Sequence, residues 1–223
     1  MNSRIIDYLQ SVEISHSFAK NYNHGVQSQG KWDLFEPTRF VYAFFAFNMI
    51  YAIDWESTMQ QNRLKYQSKG NDNFAKVQIQ SVINFVYNLE NDAFETAFLK
   101  FDERREIYNS VSKMDTDYNS NKLNTRNTGN SIAEDFLLAS EKFSNKIILN
   151  SNDQFDLLQM SYTVRNNLFH GEKKAHEMKE KGHRNRLFHY GNIILATNES
   201  FFEIMQNQFR YRRIENWEVQ DNL

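Results

Sequence analysis

Two short stretches of the chain carry an arginine, an asparagine and a histidine in the same order, VRNNLFHG at 164–171 and HRNRLFHY at 183–190. In each, the asparagine directly follows the arginine and the histidine stands five positions after it. A guanidinium stays charged and can bind two phosphate oxygens at once, whereas an imidazole gains or loses a proton near neutral pH. Together they can cleave a phosphodiester without a metal. The histidine would take the proton of a 2′-hydroxyl or protonate the leaving oxygen, while the arginine holds the phosphate.

The arginine of the first stretch falls in the apolar stripe of a predicted helix. Spacings of three and four link Phe155, Leu158, Tyr162, Arg165 and Phe169. Because an arginine cannot lose its charge, this position requires a paired carboxylate, helix-end carbonyls or a cleft that an anion can enter. The structural alternative to a phosphate site is therefore an arginine bonded to a carboxylate or to carbonyls.

The histidine of the first stretch is predicted to end the same helix. His170 stands four residues after Asn166 and hence on nearly the same face. The negative C-terminal end of a helix favours the protonated imidazole. Gly171 allows the last turn to unwind, which would bring His170 toward Arg165. The first stretch is therefore the candidate site.

The second stretch has the opposite features. The buried stripe of the last helix is predicted to consist of Leu187, Gly191, Ile194, Asn198, Phe201 and Met205. His189 would lie about 160° around the helix from Gly191, inside the helix and with no glycine directly after it. Arg184 and His189 then stay apart unless Arg184 precedes the helix. We expect this stretch to be a coincidence of composition.

The elements that position these residues are predicted to be helices. The only proline is Pro37, in the first turn of a helix, and the 7 glycines leave long segments unbroken. The pattern predicts one all-α domain over 1–223, a helical bundle of about six to seven helices with an N-terminal helix at about 3–20 and an exposed Asn-rich loop at about 115–131. The other predicted helices are 36–64, 72–92, 93–111, 132–149, 151–171 and 185–209.

Composition limits the class of protein. The net charge is −2, so contact with nucleic acid must come from a local patch and not from bulk charge. The absence of cysteine excludes disulfides, thiolate metal sites and cysteine nucleophiles, and fits the reducing cytoplasm, the predicted location. The longest apolar run, 40–53, is interrupted by Asn48 and is shorter than the roughly 20 residues of a membrane span. We predict no membrane partner.

A local excess of positive charge follows the first stretch. Between Glu172 and Arg186, six Lys and Arg residues stand against three Glu. The candidate RNA phosphate contacts here are Lys173, Lys174, Arg184 and Arg186. A solvated connection of mixed charge is the alternative. The segment FRYRRIENW at 209–217 mixes basic and aromatic residues, as single-strand binders do, or else ends a helix with cations at its negative pole.

No metal site or cofactor is predicted. The histidines at 176, 183 and 189 lack the four-residue spacing of a helical zinc pair and have no thiolates to help them. The chain also has no glycine-rich phosphate loop, nucleophile elbow or paired-carboxylate motif.

The first stretch also carries a family resemblance. YTVRNNLFHGEK at 162–173 resembles the Arg-x4-His signature of HEPN domains, including the asparagine after the arginine and the glycine after the histidine. FAFNMIYAIDW at 45–55 looks like the Phe-Asn-x-x-Tyr segment of one branch of that superfamily. RLFHYGNIIL at 186–195 resembles the helix after the motif. The resemblance covers roughly 37–209.

The resemblance implies an all-α bundle that forms a homodimer in which two motifs share one cleft. It assigns Arg165 as phosphate stabiliser, His170 as acid and base, and Asn166 as polar support. It further implies a metal-independent endoribonuclease, as in toxins and phage-defence proteins, whose partners are RNA and an antitoxin or defence-system protein. The alternative is a non-catalytic module that binds RNA, a nucleotide or a protein through the same face. HEPN toxins silenced by nucleotidyltransferase antitoxins carry a tyrosine two residues after the histidine. Here that residue is Glu172, which argues against that form of control.

Overall fold

A computed structural model describes residues 3–21, 35–53, 74–100, 109, 111–112, 130–145, 147–169 and 181–214. These residues form seven helices and no strand, so the predicted all-α helical bundle is confirmed. The helices are α1 (Ser3–Asn21), α2 (Phe35–Tyr51), α3 (Phe74–Leu89), α4 (Ala93–Lys100), α5 (Asn130–Ser144), α6 (Ser151–Phe169) and α7 (Lys181–Phe209). Most of the predicted Asn-rich loop, 115–129, lies outside the described residues.

The helix α7 is buried on all sides over its middle part. It contacts α1, α2, α3, α4 and α6, and every residue from Tyr190 to Phe202 is buried. The predicted stripe from Leu187 to Met205 is buried as expected. The opposite face is buried too, because α7 has neighbouring helices all around it. No helix of the described segments is long and apolar enough to cross a membrane.

A glycine lets α2 and α7 approach closely. A Cβ atom at Gly191 would stand 3.4 Å from Arg39 Nη1 and 3.7 Å from the Phe40 Cα. The Arg39 guanidinium lies 4.7 Å from the centre of the Phe188 ring and donates a 3.4 Å hydrogen bond to the Phe188 carbonyl. The side chains of α2 therefore pack directly on the backbone of α7.

The predicted helix 132–149 is shorter in the structure. Helix α5 ends at Ser144, and residues 147–150 are not helical. The Leu149 amide, instead of continuing a helix, donates a 2.6 Å hydrogen bond to Glu95 Oε1 of α4. The predicted helix was too long because apolar spacing continues to Leu149. Spacing within one segment cannot show a contact between residues 54 positions apart.

The N-cap of α6 is Asn150, directly before the first residue of the helix. Asn150 Oδ1 accepts the amides of Asn152 at 2.9 Å and Asp153 at 3.0 Å. In return, Asp153 Oδ2 accepts the Asn150 amide at 3.1 Å. This is a reciprocal capping box with an acid at the third helical position. It fixes the start of the helix that carries Arg165.

The chain turns back onto α1 after α7. Arg210 has a φ of 55°, a left-handed conformation that ends the helix, and the Tyr211 amide donates to the Met205 carbonyl at 3.0 Å. Four residues after Arg210, the Ile214 amide donates to Glu13 Oε2 at 3.0 Å. The segment 210–214 is thus held against the first helix.

Candidate functional site

Arg165 lies near the end of α6 and faces α2. Its guanidinium carbon is 5.5 Å from the centre of the Phe44 ring, and Nη1 donates a 2.8 Å hydrogen bond to Asn166 Oδ1. The side chain is partly buried. An arginine over an aromatic face has little freedom to turn, so its charge is held in one place.

The Phe-Asn-x-x-Tyr segment of α2 reaches the same place. The Tyr51 hydroxyl donates a hydrogen bond to Asn48 Oδ1 within α2. Burial, and secondarily the neighbouring Tyr162, raises the pKa of Tyr51 to about 12, while the charge of Arg165 acts in the opposite direction. Tyr51 is therefore neutral at physiological pH. Tyr51, in one of the three segments that resemble HEPN domains, is thus close enough to Tyr162 and Arg165, in another, for their charges to act on it.

Phe44 supports two side chains of α6 at once. Its ring centre is 6.1 Å from that of Tyr162, in addition to its contact with Arg165. Phe44 itself is buried and packs edge-on against Phe47, whose ring in turn packs edge-on against Tyr51 at 5.3 Å. These rings form an aromatic platform beneath Arg165 and Tyr162.

Three of the predicted site residues fall outside the described residues: His170, Lys173 and Lys174. Helix α6 ends at Phe169, directly before His170. The approach of His170 to Arg165 stays a prediction.

The other two predicted RNA contacts, Arg184 and Arg186, lie in the first turns of α7 and have partners within the chain. Arg184 donates from Nε to Glu36 Oε2 at 2.8 Å and from Nη2 to Glu36 Oε1 at 3.0 Å. Arg186 Nη2 is 2.7 Å from His183 Nδ1. Glu36 precedes Phe44 by eight residues, about 12 Å along the α2 axis. Arg184 and Arg165 therefore contact α2 about two turns apart. The role of Arg184 and Arg186 in RNA binding stays a prediction.

Sequence reasoning missed a buried ionic network between α1 and the segment after α7. Arg213 donates from Nε to Glu13 Oε1 at 3.0 Å, and from Nη1 and Nη2 to the two oxygens of Glu199 at 2.5 and 3.0 Å. The Tyr211 hydroxyl donates to Glu13 Oε2 at 2.8 Å. Glu13 and Glu199 are 1% and 5% exposed. One arginine thus bridges two buried carboxylates.

His16 completes this network. It is fully buried, and its Nε2 is 2.8 Å from Glu199 Oε2. Burial lowers the pKa of His16, an effect that the hydrogen bond to Glu199 only partly offsets. Nδ1 has no hydrogen-bond partner among the described residues, so a proton there would be buried without an acceptor. We conclude that His16 is neutral and donates from Nε2 to Glu199.

The sequence did hold a signal for this network. Glu13 and His16 stand three apart on the face of α1 that also carries Leu9 and Val12, and Glu199 lies within the buried span of α7. Charged residues at core positions of two helices indicate a buried pair, although the pattern does not say which residues meet. Tyr211 and Arg213, which belong to the basic aromatic segment 209–217, are part of this network.

A second group of ionisable residues lies between α5 and α6. Lys142 Nζ is 2.5 Å from Asp153 Oδ1. Burial, followed by the negative charges of Asp135 and Asp153, raises the pKa of Asp156 to about 7. Asp156 thus exchanges its proton near neutral pH. Among the described residues, no group of His, Asp and Glu side chains is arranged to hold a metal ion.

No protein-family model, curated protein or solved structure matches this chain. What the site can do must therefore be judged from its own residues. A guanidinium held over an uncharged aromatic platform can bind a phosphate, and an adjacent amide and hydroxyls can donate to the same anion.

Proposed function

We propose that this protein is a HEPN-type, metal-independent endoribonuclease. The observation that carries the proposal is the position of Arg165. Its guanidinium is partly buried, lies over the aromatic platform of α2 and donates to the side-chain amide oxygen of Asn166. Both residues lie near the end of α6, a few positions before His170. Arg165 would hold the scissile phosphate, Asn166 would orient the guanidinium, and His170 would transfer the proton.

The reaction is an attack by the 2′-oxygen of RNA on the neighbouring phosphorus. A bond from phosphorus to O2′ forms, the bond from phosphorus to O5′ breaks, and the products are a 2′,3′-cyclic phosphate and a 5′-hydroxyl. A base accepts the 2′-hydroxyl proton and an acid protonates the 5′-oxygen. Charge grows on the non-bridging oxygens in the transition state, and Arg165 would neutralise it.

One chain supplies a single motif histidine, whereas the reaction uses both a base and an acid. A two-fold homodimer that places two motifs in one cleft supplies both groups. We propose this assembly, with Lys173, Lys174, Arg184 and Arg186 as further RNA contacts. We further propose that the enzyme acts in the cytoplasm as a toxin or phage-defence component under the control of a partner protein.

The test is to incubate the purified protein with labelled RNA in EDTA. We expect cleavage with cyclic phosphate ends, and no cleavage of single-stranded DNA, which lacks the 2′-hydroxyl. Arg165→Ala and His170→Ala should each abolish cleavage without loss of helical circular dichroism. His189→Ala in the second stretch is the matched control and should retain activity.

Three results would contradict the proposal or part of it. Turnover of DNA, or loss of activity in EDTA, would exclude the 2′-hydroxyl mechanism. A monomer by light scattering at micromolar concentration would contradict the shared cleft. RNA binding without cleavage by the unmodified protein would favour the non-catalytic alternative.

A further inference from the structure

Tyr162 stands one helical turn before Arg165 and on the same face of α6. Its ring contacts Phe44, the same ring over which the Arg165 guanidinium lies. Tyr162 also contributes to the raised pKa of Tyr51. Tyr162 thus packs on the same aromatic platform as Arg165 and is only partly buried.

The Tyr162 hydroxyl differs from the other well-placed hydroxyls near α2. Tyr8 donates to the Met49 carbonyl at 2.8 Å, and Tyr51 donates to Asn48. Tyr162 makes no hydrogen bond to another residue in the described part of the chain. A partly buried phenol whose hydroxyl donates to none of the described residues is suited to an incoming acceptor.

We propose that Tyr162 is a second phosphate-binding residue of this site and donates from its hydroxyl to a non-bridging oxygen of the RNA phosphate that Arg165 holds. The inference rests on the proposed function and deepens it. The substrate group is a phosphodiester anion with two exposed oxygens, one for the arginine and one for the phenol. A phenol hydroxyl adds a hydrogen bond to this anion without adding a second positive charge.

Equilibrium binding of a fluorescent 2′-O-methyl RNA oligonucleotide tests this directly, because the blocked 2′-oxygen cannot attack and binding is measured without cleavage. Tyr162→Phe removes only the hydroxyl and keeps the ring on Phe44. We expect the Kd to rise about tenfold, the range for a lost hydrogen bond to a charged group. Tyr8→Phe is the matched control: it loses a phenol hydrogen bond to the Met49 carbonyl, and Tyr8 is not a residue of the proposed phosphate site, so the variant should bind RNA like the unmodified protein.

Salt dependence separates direct contact from an effect through Arg165. Arg165→Ala should lower the slope of log Kd against log salt by about 0.7, the contribution of one phosphate contact on a single strand. Tyr162→Phe should leave the slope unchanged. In the Arg165→Ala background, loss of the hydroxyl should cost less than in the unmodified protein, because the phosphate is no longer held.

Each other outcome has one meaning. If Tyr162→Phe binds within twofold of the unmodified protein while Arg165→Ala binds weakly, the Tyr162 assignment is wrong and the proposed function stands. A slope reduced as in Arg165→Ala would show that Tyr162 only positions the arginine, which also overturns the assignment. If the unmodified protein binds no RNA, the proposed function fails and this inference fails with it.

Discussion

Arg184 of α7 and Glu36 of α2 form a bidentate ion pair, with Nε to Oε2 at 2.8 Å and Nη2 to Oε1 at 3.0 Å. This pair joins the first turns of two helices that pack against each other along the core. The arginine of the second stretch thus binds a carboxylate. The arginine of the first stretch contacts an aromatic ring and an amide. Two sequences that read almost alike place their arginines in different surroundings.

The pair predicts a stability effect for Arg184→Ala. Removal of the guanidinium leaves the largely buried Glu36 carboxylate without its two hydrogen-bond donors. We expect the free energy of unfolding to fall by about 2 kcal/mol, which is less than for a fully buried pair. Urea denaturation measures this. The double variant with Glu36→Gln should lose less than the sum of the single losses. RNA cleavage per folded molecule should change at most a few-fold, and a complete loss would assign Arg184 to the reaction.

The buried network predicts a large difference between two neighbouring arginines. Arg213→Ala leaves the carboxylates of Glu13 and Glu199 buried without their shared cation, and we expect a loss of about 3–5 kcal/mol in the free energy of unfolding. Arg212 is exposed and is the matched control: Arg212→Ala should stay within about 0.5 kcal/mol of the unmodified protein. Equal effects of the two substitutions would mean that the network contributes little.

The pKa of His16 predicts that stability falls in mild acid. Burial lowers this pKa below the ordinary 6.5, so the unfolded chain takes up a proton that the folded chain does not. The contribution of neutral His16 to the free energy of unfolding is therefore complete above pH 6.5. It decreases as the pH falls below 6.5, by at most about 1.4 kcal/mol per pH unit. Urea titrations between pH 5 and 8 measure the slope. His16→Gln should flatten this part of the profile, and an unchanged slope would assign it to other histidines.

The pKa of Asp156 predicts the opposite trend. Burial and its acidic neighbours raise this pKa from 3.8 to about 7, so between these values the folded protein keeps a proton that the unfolded chain has lost. The free energy of unfolding therefore falls as the pH rises from about 4 to about 7. Asp156→Asn should raise the free energy of unfolding at pH 8 by about 1 kcal/mol, a value reduced by partial solvent exposure, and should change little at pH 4. Glu141→Gln, at an exposed position of α5, is the matched control and should change the free energy of unfolding by less than about 0.5 kcal/mol.

The helices could be predicted from sequence because each depends on spacings within its own segment. The stripe of α7 and the place of Arg165 on α6 follow from residues three and four apart. The end of α5 could not be predicted in this way. There, Leu149 is fully buried and fits the helical pattern, but its amide bonds to Glu95 of another helix, and the capping box at Asn150 starts a new one.

The candidate site was predictable only in part for the same reason. Arg165 and Asn166 are adjacent in sequence, so their relationship follows from one helix. Phe44 and Tyr51 belong to α2, more than a hundred residues earlier, and periodicity assigns them only to a buried face. The partners of Glu13 and His16 lie 183 to 201 positions away. Such long-range pairs are set by the packing of whole helices, which the local pattern does not specify.

The network between α1 and segment 210–214 also has a consequence for synthesis on the ribosome. The first helix emerges early, but Glu199 follows His16 by 183 residues, which takes roughly 10 to 40 s at 5–20 residues per second. During that time Glu13 and His16 lack Arg213 and Glu199, and α1 cannot bury its charged face. The buried network, and with it this part of the core, therefore cannot form until residues 199–214 are synthesised. The stable fold therefore forms only after residues 199–214 have left the ribosome.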